Sequence, residues 1–130
     1  MINSNQHHRL GDLQLRILQE IWQRGECSVA AVHAALHAER KLAHTTISTM
    51  LRKMEARGLV AHREEGRAFF YRAAVAAEEV TRSEGRHFVE RLFEGSMANA
   101  VSHLLQTREV SREELDQIEQ FIKEAKRRAK

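Results

Sequence analysis

A helical segment between residues 45 and 57 separates its side chains into an apolar face and a polar face. At about 100° per residue, the apolar face collects Ile47, Met50, Leu51 and Met54. The opposite face holds small hydroxyls and one arginine, with two polar residues at its flank: Thr45, Ser48, Thr49 and Arg52, then Thr46 and Lys53. Hydroxyls can donate to phosphates and base edges, and a guanidinium can bind a guanine through two hydrogen bonds. Because the face is slim and lacks carboxylates, it favours a helix that enters the major groove of DNA; the alternative is an ordinary solvated face.

Arginines surround a predicted hairpin turn that follows this segment. Gly66 separates two apolar-rich stretches, Leu59–Arg63 and Ala68–Arg72, which predict two strands joined by a tight turn. On or beside the turn lie Arg63, Arg67 and Arg72, as expected of a wing that contacts phosphates. Two glutamates in the same turn, Glu64 and Glu65, reduce its positive charge. We expect the aromatic residues of the second stretch to pack in the hairpin core rather than stack on bases: Phe69, Phe70 and Tyr71.

The other reactive side chains form no recognisable catalytic or metal-binding pattern. His33 and His37 have the i, i+4 spacing that can chelate a divalent metal, but no third ligand is evident, so partly exposed helix histidines are the preferred interpretation. The single cysteine, Cys27, excludes an intrachain disulfide and is interpreted as a small, partly buried residue rather than a redox sensor. No nucleophile–base pair, glycine-rich phosphate loop or paired-carboxylate motif occurs. The sequence therefore predicts no enzymatic activity, no metal site and no cofactor.

Composition and charge are those of a soluble globular protein with a small positive excess in its N-terminal half. The 130 residues are 42% hydrophobic and 30% charged, a globular profile that fits one domain or a small domain with an appendage. The net charge is +3, and residues 1–72 carry 11 Lys and Arg against 7 Asp and Glu. This excess places the positive charge where a polyanion could bind. No apolar stretch approaches the ~20 residues that cross a bilayer, so we expect a cytoplasmic protein without stable membrane association.

The elements that must position these residues follow one another in a winged helix-turn-helix order. The apolar spacing predicts a first helix from about Asp12 to Gln23, a second beginning after Ser28, and a third from about Ala43 to Arg57. The hairpin follows, and then come three helices around Ala76–Phe93, Ser96–Gln106 and Arg112–Arg128. The predicted fold is mainly α with a small β-hairpin. We expect residues 1–72 to form a winged-helix DNA-binding domain and residues 73–130 a helical dimerisation region.

The last predicted helix carries a narrow apolar seam. Its members are Leu115, Ile118, Phe121, Ile122 and Ala125. One such stripe could fold back on its own chain, but three helices with few aromatic residues cannot hide every stripe. A second copy of the chain is therefore the expected partner.

The stretch from His44 to Val60 resembles the reading helix and first strand of repressors of the BlaI/MecI type, the penicillinase repressors. The segment from Arg63 to Tyr71 is similar to their wing, and Ile17–Trp22 with Ser28-Val29 and Val32-His33 to their first two helices. Further along, Phe88, Leu92, Phe93 and Gly95-Ser96 resemble the start of their dimerisation region. The resemblance covers residues 10–126, nearly the whole chain.

This resemblance implies a homodimer that represses a β-lactam resistance or stress operon from an inverted-repeat operator. It implies that the polar face of the third helix meets the groove and that Arg67 serves the wing. It also implies relief through a membrane sensor-protease that leads to cleavage of the repressor. Two departures matter: the copper-responsive relatives carry a C-terminal cysteine cluster that is missing here, and His103-Leu104 stands about where the β-lactamase repressors are cut at an Asn-Phe bond.

A winged helix can also serve as a protein-interaction module without binding DNA. That alternative favours an apolar or acidic outer face on the third helix. The face here is hydroxyl-rich and basic, which favours DNA.

Overall fold

In a computed structural model the chain divides into two compact units, Met1–Arg86 and His87–Lys130. The structure describes residues 10–129. The first unit contains helices α1, α2 and α3, strands β1, β2 and β3, and the first part of α4. In chain order the elements are α1 (Asp12–Arg24), β1 (Glu26–Ser28), α2 (Val29–His37), α3 (His44–Ala56), β2 (Val60–Glu65), β3 (Ala68–Ala73) and α4 (Ala77–Phe93). The predicted winged helix-turn-helix order is confirmed. The expected domain boundary at residue 72 lies one residue before the end of β3, and the division between the two units falls later, within α4.

A three-stranded antiparallel sheet closes the first unit, with β3 between β1 and β2. The hairpin strands pair in the register Val60↔Ala73 to Glu65↔Ala68. The other edge is β1, which pairs Glu26↔Arg72 through Ser28↔Phe70. The sequence analysis predicted the hairpin and missed β1, because three residues between two helices are too short to show an alternating pattern.

The core of the first unit lies among α1, α2, α3 and the sheet. Its fully buried side chains have 0–2% of their surface exposed: Ile17, Leu18, Ile21, Val32, Leu36, Ile47, Leu51, Met54, Leu59, Val60 and Tyr71. Of the three hairpin aromatics expected in the core, Tyr71 is buried and Phe70 is half-buried. Phe69 remains 37% exposed, so for this residue the expectation was wrong. Phe69 shares a strand face with Tyr71 but lies nearer the turn, where it lines a groove beside the starts of α2 and α3.

Two polar contacts attach the chain after β3 to this core. The indole Nε1 of Trp22 donates to the carbonyl of Val75 at 2.9 Å. The backbone N–H of Leu10 donates to the Glu84 carboxylate at 2.8 Å. Val75 and Val80 are buried beside them, which holds the first half of α4 against the winged-helix core.

Glu20 is a charged side chain buried within α1. Only 7% of the residue is exposed, and its carboxylate accepts from Arg16 at 3.0 Å and from Arg24 at 2.8 Å. Arg16 also pairs with Glu39 at 2.7 Å, so the network ties α1 to the turn after α2. The hydrogen bond from Arg24 lowers the pKa of Glu20 more than burial raises it. The carboxylate therefore stays charged inside the fold, because both of its oxygens are matched by guanidinium groups.

The second unit contains the end of α4 together with α5 (Met97–Gln106) and α6 (Arg112–Arg128). The hydroxyl of Ser96 accepts from the N–H of Asn99, and that of Ser111 accepts from the N–H of Glu114, both at 3.1 Å. These caps fix where α5 and α6 begin. Among residues 10–129, none of the helices combines the length and the apolar character that crossing a bilayer requires.

We predict that Glu20→Gln destabilises the protein in a pH-dependent way. The lowered pKa in the folded state means that the charged carboxylate stabilises the fold fully above about pH 4.3, the ordinary value for glutamate, and that this stabilisation is lost as the pH falls through the folded value. At pH 7 the variant should lose about 1–3 kcal/mol of unfolding free energy. The difference should shrink near pH 3. Urea unfolding followed by Trp22 fluorescence measures the unfolding free energy at both pH values. The exposed Glu90→Gln is the matched control. A loss of stability that is equal at the two pH values would contradict the interpretation.

Candidate nucleic-acid interface

Helix α3 presents its polar face because its opposite face is anchored in the core. Ile47, Leu51 and Met54 have no exposed surface, which fixes the rotation of the helix about its own axis. Five of the six predicted polar side chains are exposed and Ser48 is half-buried; the exposed ones are Thr45, Thr46, Thr49, Arg52 and Lys53. Arg52 approaches the Thr49 hydroxyl at 3.4 Å, so these two groups share one patch on the outer face. The arrangement offers hydroxyl and guanidinium donors on one side of a slim helix.

The turn before α3 is held by a histidine. The Nε2 atom of His33 lies 2.7 Å from the carbonyl oxygen of Leu42, two residues before α3 begins. Its ring also packs near those of His37 and His44, with centroids 5.3 and 5.7 Å apart. Within the part of the chain that the structure describes, no group of three or more His, Cys, Asp or Glu side chains is arranged to hold a metal ion. His33 thus positions the start of α3 by a hydrogen bond to the backbone.

The wing turn places Arg67 beside the start of α3. Gly66 has a φ of 63°, in the left-handed region that an L side chain rarely adopts, which is why glycine suits this tight turn. A groove runs between the wing, the first turn of α2 and the start of α3. It is lined by Ser28, Val29, Ala30, His44, Ser48, Arg67, Ala68 and Phe69. Arg67 and Ser48, predicted as site residues from separate segments, therefore line one groove.

Arg63 is placed differently from Arg67. Its guanidinium pairs with Glu26 at 2.7 Å and with Glu65 at 2.8 Å, and it lies 4.8 Å from the centroid of the Phe70 ring. The hydrogen bonds that the guanidinium donates to both carboxylates raise the pKa of Arg63. Because β3 lies between β1 and β2, this side chain crosses the middle strand and joins the two edges of the sheet. By contrast, Arg67 has no carboxylate partner among residues 10–129, so its charge faces solvent.

The sequence analysis missed a contact between the wing and the end of α3. His62 on β2 directs its Nδ1 atom at the Glu55 carboxylate, 2.7 Å from one oxygen and 2.8 Å from the other. The two residues lie on opposite sides of the helix-to-strand turn, and no spacing rule for helices or strands signals such a pair. A histidine on an exposed strand beside a helix-ending glutamate was the only available clue.

Cys27 is inside the fold. Its side chain lies on β1 with 2% of its surface exposed, and burial raises the pKa of the thiol. A buried, protonated thiol is poorly reactive. This agrees with a packing residue and argues against an activated one.

The predicted dimerisation residues lie in the second unit and are mostly uncovered. Leu92, Leu115 and Ile122 are 42–53% exposed and Phe121 is 64% exposed, whereas Phe88 and Ile118 are half-buried. Phe88 packs against Phe93 with centroids 5.6 Å apart. A shallow groove between α5 and α6 is lined by five apolar and three charged residues: Leu105, Val110, Leu115, Ile118 and Ile122, with Arg112, Asp116 and Glu119. In a single chain the α6 seam is therefore largely open to solvent.

Comparison with known proteins agrees with this geometry. The family model of the penicillinase repressors matches residues 10–124. The chain is 25% identical to the penicillinase repressor of Bacillus licheniformis over 122 residues, which is 94% of this chain and 95% of that protein. It is 37% identical to the transcriptional regulator BlaI of Mycobacterium tuberculosis over 73 residues, 55% of this chain and 53% of that protein. The solution structure of the DNA-binding domain of the repressor BlaI superposes with a TM-score of 0.51 at 25% identity, covering 55% of this chain and 88% of that domain.

We predict that the two wing arginines have separable effects. Arg63→Ala should lower the thermal unfolding temperature, because the sheet loses the ion pair with Glu26 that joins its two edges, and should leave the salt dependence of duplex binding unchanged. Arg67→Ala should leave the unfolding temperature unchanged and reduce the slope of log Kd against log salt concentration by about 1, the loss of one phosphate contact. Titration of a random-sequence duplex at several salt concentrations tests this. If Arg63→Ala reduces the slope as much as Arg67→Ala, the guanidinium leaves its carboxylates for DNA.

Proposed function

The chain belongs to the penicillinase repressor family, and we propose that it represses transcription as a homodimer bound to an inverted-repeat operator. It is a DNA-binding repressor by family and by fold. The observation that carries the proposal is the uncovered polar face of α3, which combines hydroxyls with Arg52 on a helix anchored in the core through Ile47, Leu51 and Met54. A helix held in this way can enter the major groove without rotating.

We assign base reading to α3 and phosphate contacts to its surroundings. Thr45, Thr46, Ser48 and Thr49 would meet base edges and nearby phosphates, and Arg52 would bind a guanine. Lys53 and Arg67 would contact phosphates on either side of the groove. Arg63 was predicted as a phosphate contact too; its two carboxylate partners favour a role in holding the sheet.

The homodimer is proposed from the uncovered apolar seam of α6. A single winged helix makes few DNA contacts, whereas two joined copies on a symmetric site combine theirs at high effective concentration. Packing the seam against the same seam of a second copy would bury its apolar surface. Such a contact has two-fold symmetry, which matches that of an inverted-repeat operator. The residues proposed to lie in this interface are Phe88, Leu92, Leu115, Ile118, Phe121 and Ile122.

Relief of repression is proposed to act through the second unit. A membrane sensor-protease is the partner suggested by the family resemblance, and α5 is its proposed target. Because His103-Leu104 stands in place of the Asn-Phe bond, such a protease would need an altered preference; an inducing route without cleavage is the alternative. Leu104 and Leu105 on this ten-residue helix are 49% and 37% exposed, so local opening would expose little that is now buried. Cleavage near His103-Leu104 would separate α6 from the rest of the chain and weaken the dimer. The regulated genes would then be those of a β-lactam resistance or stress operon.

The function is tested by selecting duplexes from a random pool with the full chain. We expect enrichment of an inverted repeat. Arg52→Ala should bind the enriched duplex about 1–3 kcal/mol more weakly and lose preference at one position in each half-site, because a bidentate contact discriminates one base pair.

Lys53→Ala is the matched control for this experiment. Because its proposed contact is a phosphate, it should weaken the enriched and random duplexes alike and preserve the enriched motif. Failure of the wild-type chain to enrich any motif would reject the repressor proposal and favour a protein-interaction module. Equal losses on both duplexes for Arg52→Ala would reject base reading by that residue.

The dimer is tested by Ile122→Asp. Ile122 is 46% exposed in one protomer, so an aspartate there leaves the fold of that protomer intact and places an unpaired charge in the proposed interface. The dimer should weaken by at least about 2–3 kcal/mol, roughly 30- to 150-fold. Gln120→Asp, on the opposite side of α6, is the control and should remain dimeric. Light scattering across a concentration series measures both, and an unchanged dimer in the Ile122 variant would place the interface elsewhere.

A further inference from the structure

His62 sits at the centre of a contact chain that runs from the reading helix to the wing turn. It lies on β2, opposite Tyr71 of β3, with 28% of its side chain exposed. On one side it meets Glu55 in the last turn of α3, three residues after Arg52. On the other side its ring stacks on Phe69, with centroids 4.4 Å apart and planes 17° from parallel. One side chain therefore touches both DNA-facing elements of the winged helix.

The contact with Glu55 is directional. A carboxylate only accepts hydrogen bonds, so Nδ1 of His62 carries a proton and donates it. The backbone N–H of His62 donates to the same carboxylate at 3.2 Å. The helix-to-strand turn is already closed by Leu59 N–H to the Met54 carbonyl at 3.0 Å. The Glu55 carboxylate attaches α3 to β2 further along the strand, because it binds both the backbone N–H and the ring of His62.

The contact with Phe69 carries the attachment to the turn. Phe69 is two residues from Arg67 and lines the same groove. Its ring is 37% exposed and has the His62 imidazole as its stacked neighbour. Through this stack the Phe69 ring, two residues from Arg67, is linked to the end of α3 by way of His62 and Glu55.

We propose that His62 is a positioning residue for DNA binding, which sets the wing and Arg67 at a fixed distance from the reading helix. The proposal rests on the DNA-binding function proposed above. Two groups that must reach the same duplex bind more tightly when their separation is set beforehand, because less motion is lost on binding. Glu55 then has an unusual role: a carboxylate next to the DNA-binding face increases DNA affinity through the histidine it holds.

The first test is a double-mutant cycle on the duplex enriched by the wild-type chain. His62→Ala should weaken binding about 3- to 10-fold. In the Arg67→Ala background the same change should have little further effect, because the wing contact that His62 positions is already gone. With Arg52→Ala the two losses should multiply. Losses that multiply with Arg67→Ala as well would overturn the proposal and indicate that His62 touches DNA itself.

The second test uses the sign of a charge effect. Glu55→Ala removes a negative charge near DNA, and electrostatics alone predicts tighter binding. The positioning role predicts weaker binding, again about 3- to 10-fold. Glu64→Ala is the matched control, because Glu64 is an exposed wing glutamate with no ion pair among the residues described. It should bind equally or more tightly, and a Glu55 variant that behaves like it would overturn the proposal.

The conservative variant His62→Asn separates positioning from folding. Its side-chain amide can donate to Glu55 in place of Nδ1 but cannot stack on Phe69 as a ring does, so binding should recover in part. Circular dichroism and the thermal unfolding temperature report whether each variant is folded, and only variants folded at the assay temperature enter the cycle. Unaltered binding by folded His62→Ala overturns the inference alone, whereas a wild-type chain that enriches no duplex removes the function on which it rests.

Discussion

The structure depends on one constraint: α3 must anchor one face in the core while the opposite face stays uncovered. Ile47, Leu51 and Met54 have no exposed surface, so the helix cannot rotate without opening the core. The partners on α1 and α2 are aliphatic and equally buried. The energy that folds the domain is therefore the same energy that aims the threonines and Arg52 outward. No separate device is needed to orient the reading face.

Charge in the wing is divided between holding the sheet and facing DNA. Arg63 pairs with Glu26 and Glu65, and the pair with Glu26 joins the two edge strands across β3. Arg67, at the turn, keeps its charge toward solvent. Two arginines four residues apart thus differ because one lies within reach of a carboxylate on the opposite edge strand and of another on its own strand. Net charge alone, at +3, says little about where a phosphate would be held.

Whereas the first unit buries most of its apolar side chains in a core, the second unit leaves much of its apolar surface exposed. Its α6 buries no side chain, although it has a clear apolar seam with Leu115 and Ile122 nearly half-exposed. The cap at Ser111 stabilises the start of the helix, but the apolar side chains of its seam are incompletely packed in the single chain. This is the physical basis for proposing a second copy as its cover. Repression and its relief would then both act through the same weakly packed surface.

The sequence by itself determined the order of the elements and the two faces of α3. Those features are local: helical spacing, the Ser28 and Ser111 caps, and the Gly66 turn each involve residues a few positions apart. The seam of α6 was predictable for the same reason. Tertiary structure alone decided the pairing of β1 with β3, the exposure of Phe69, the burial of Cys27 and the contacts of His62. It also decided that Arg63 holds Glu26, a residue 37 positions away. Such contacts depend on which distant segments the fold brings together. Side-chain type and local spacing do not indicate which residues far apart in the sequence will meet.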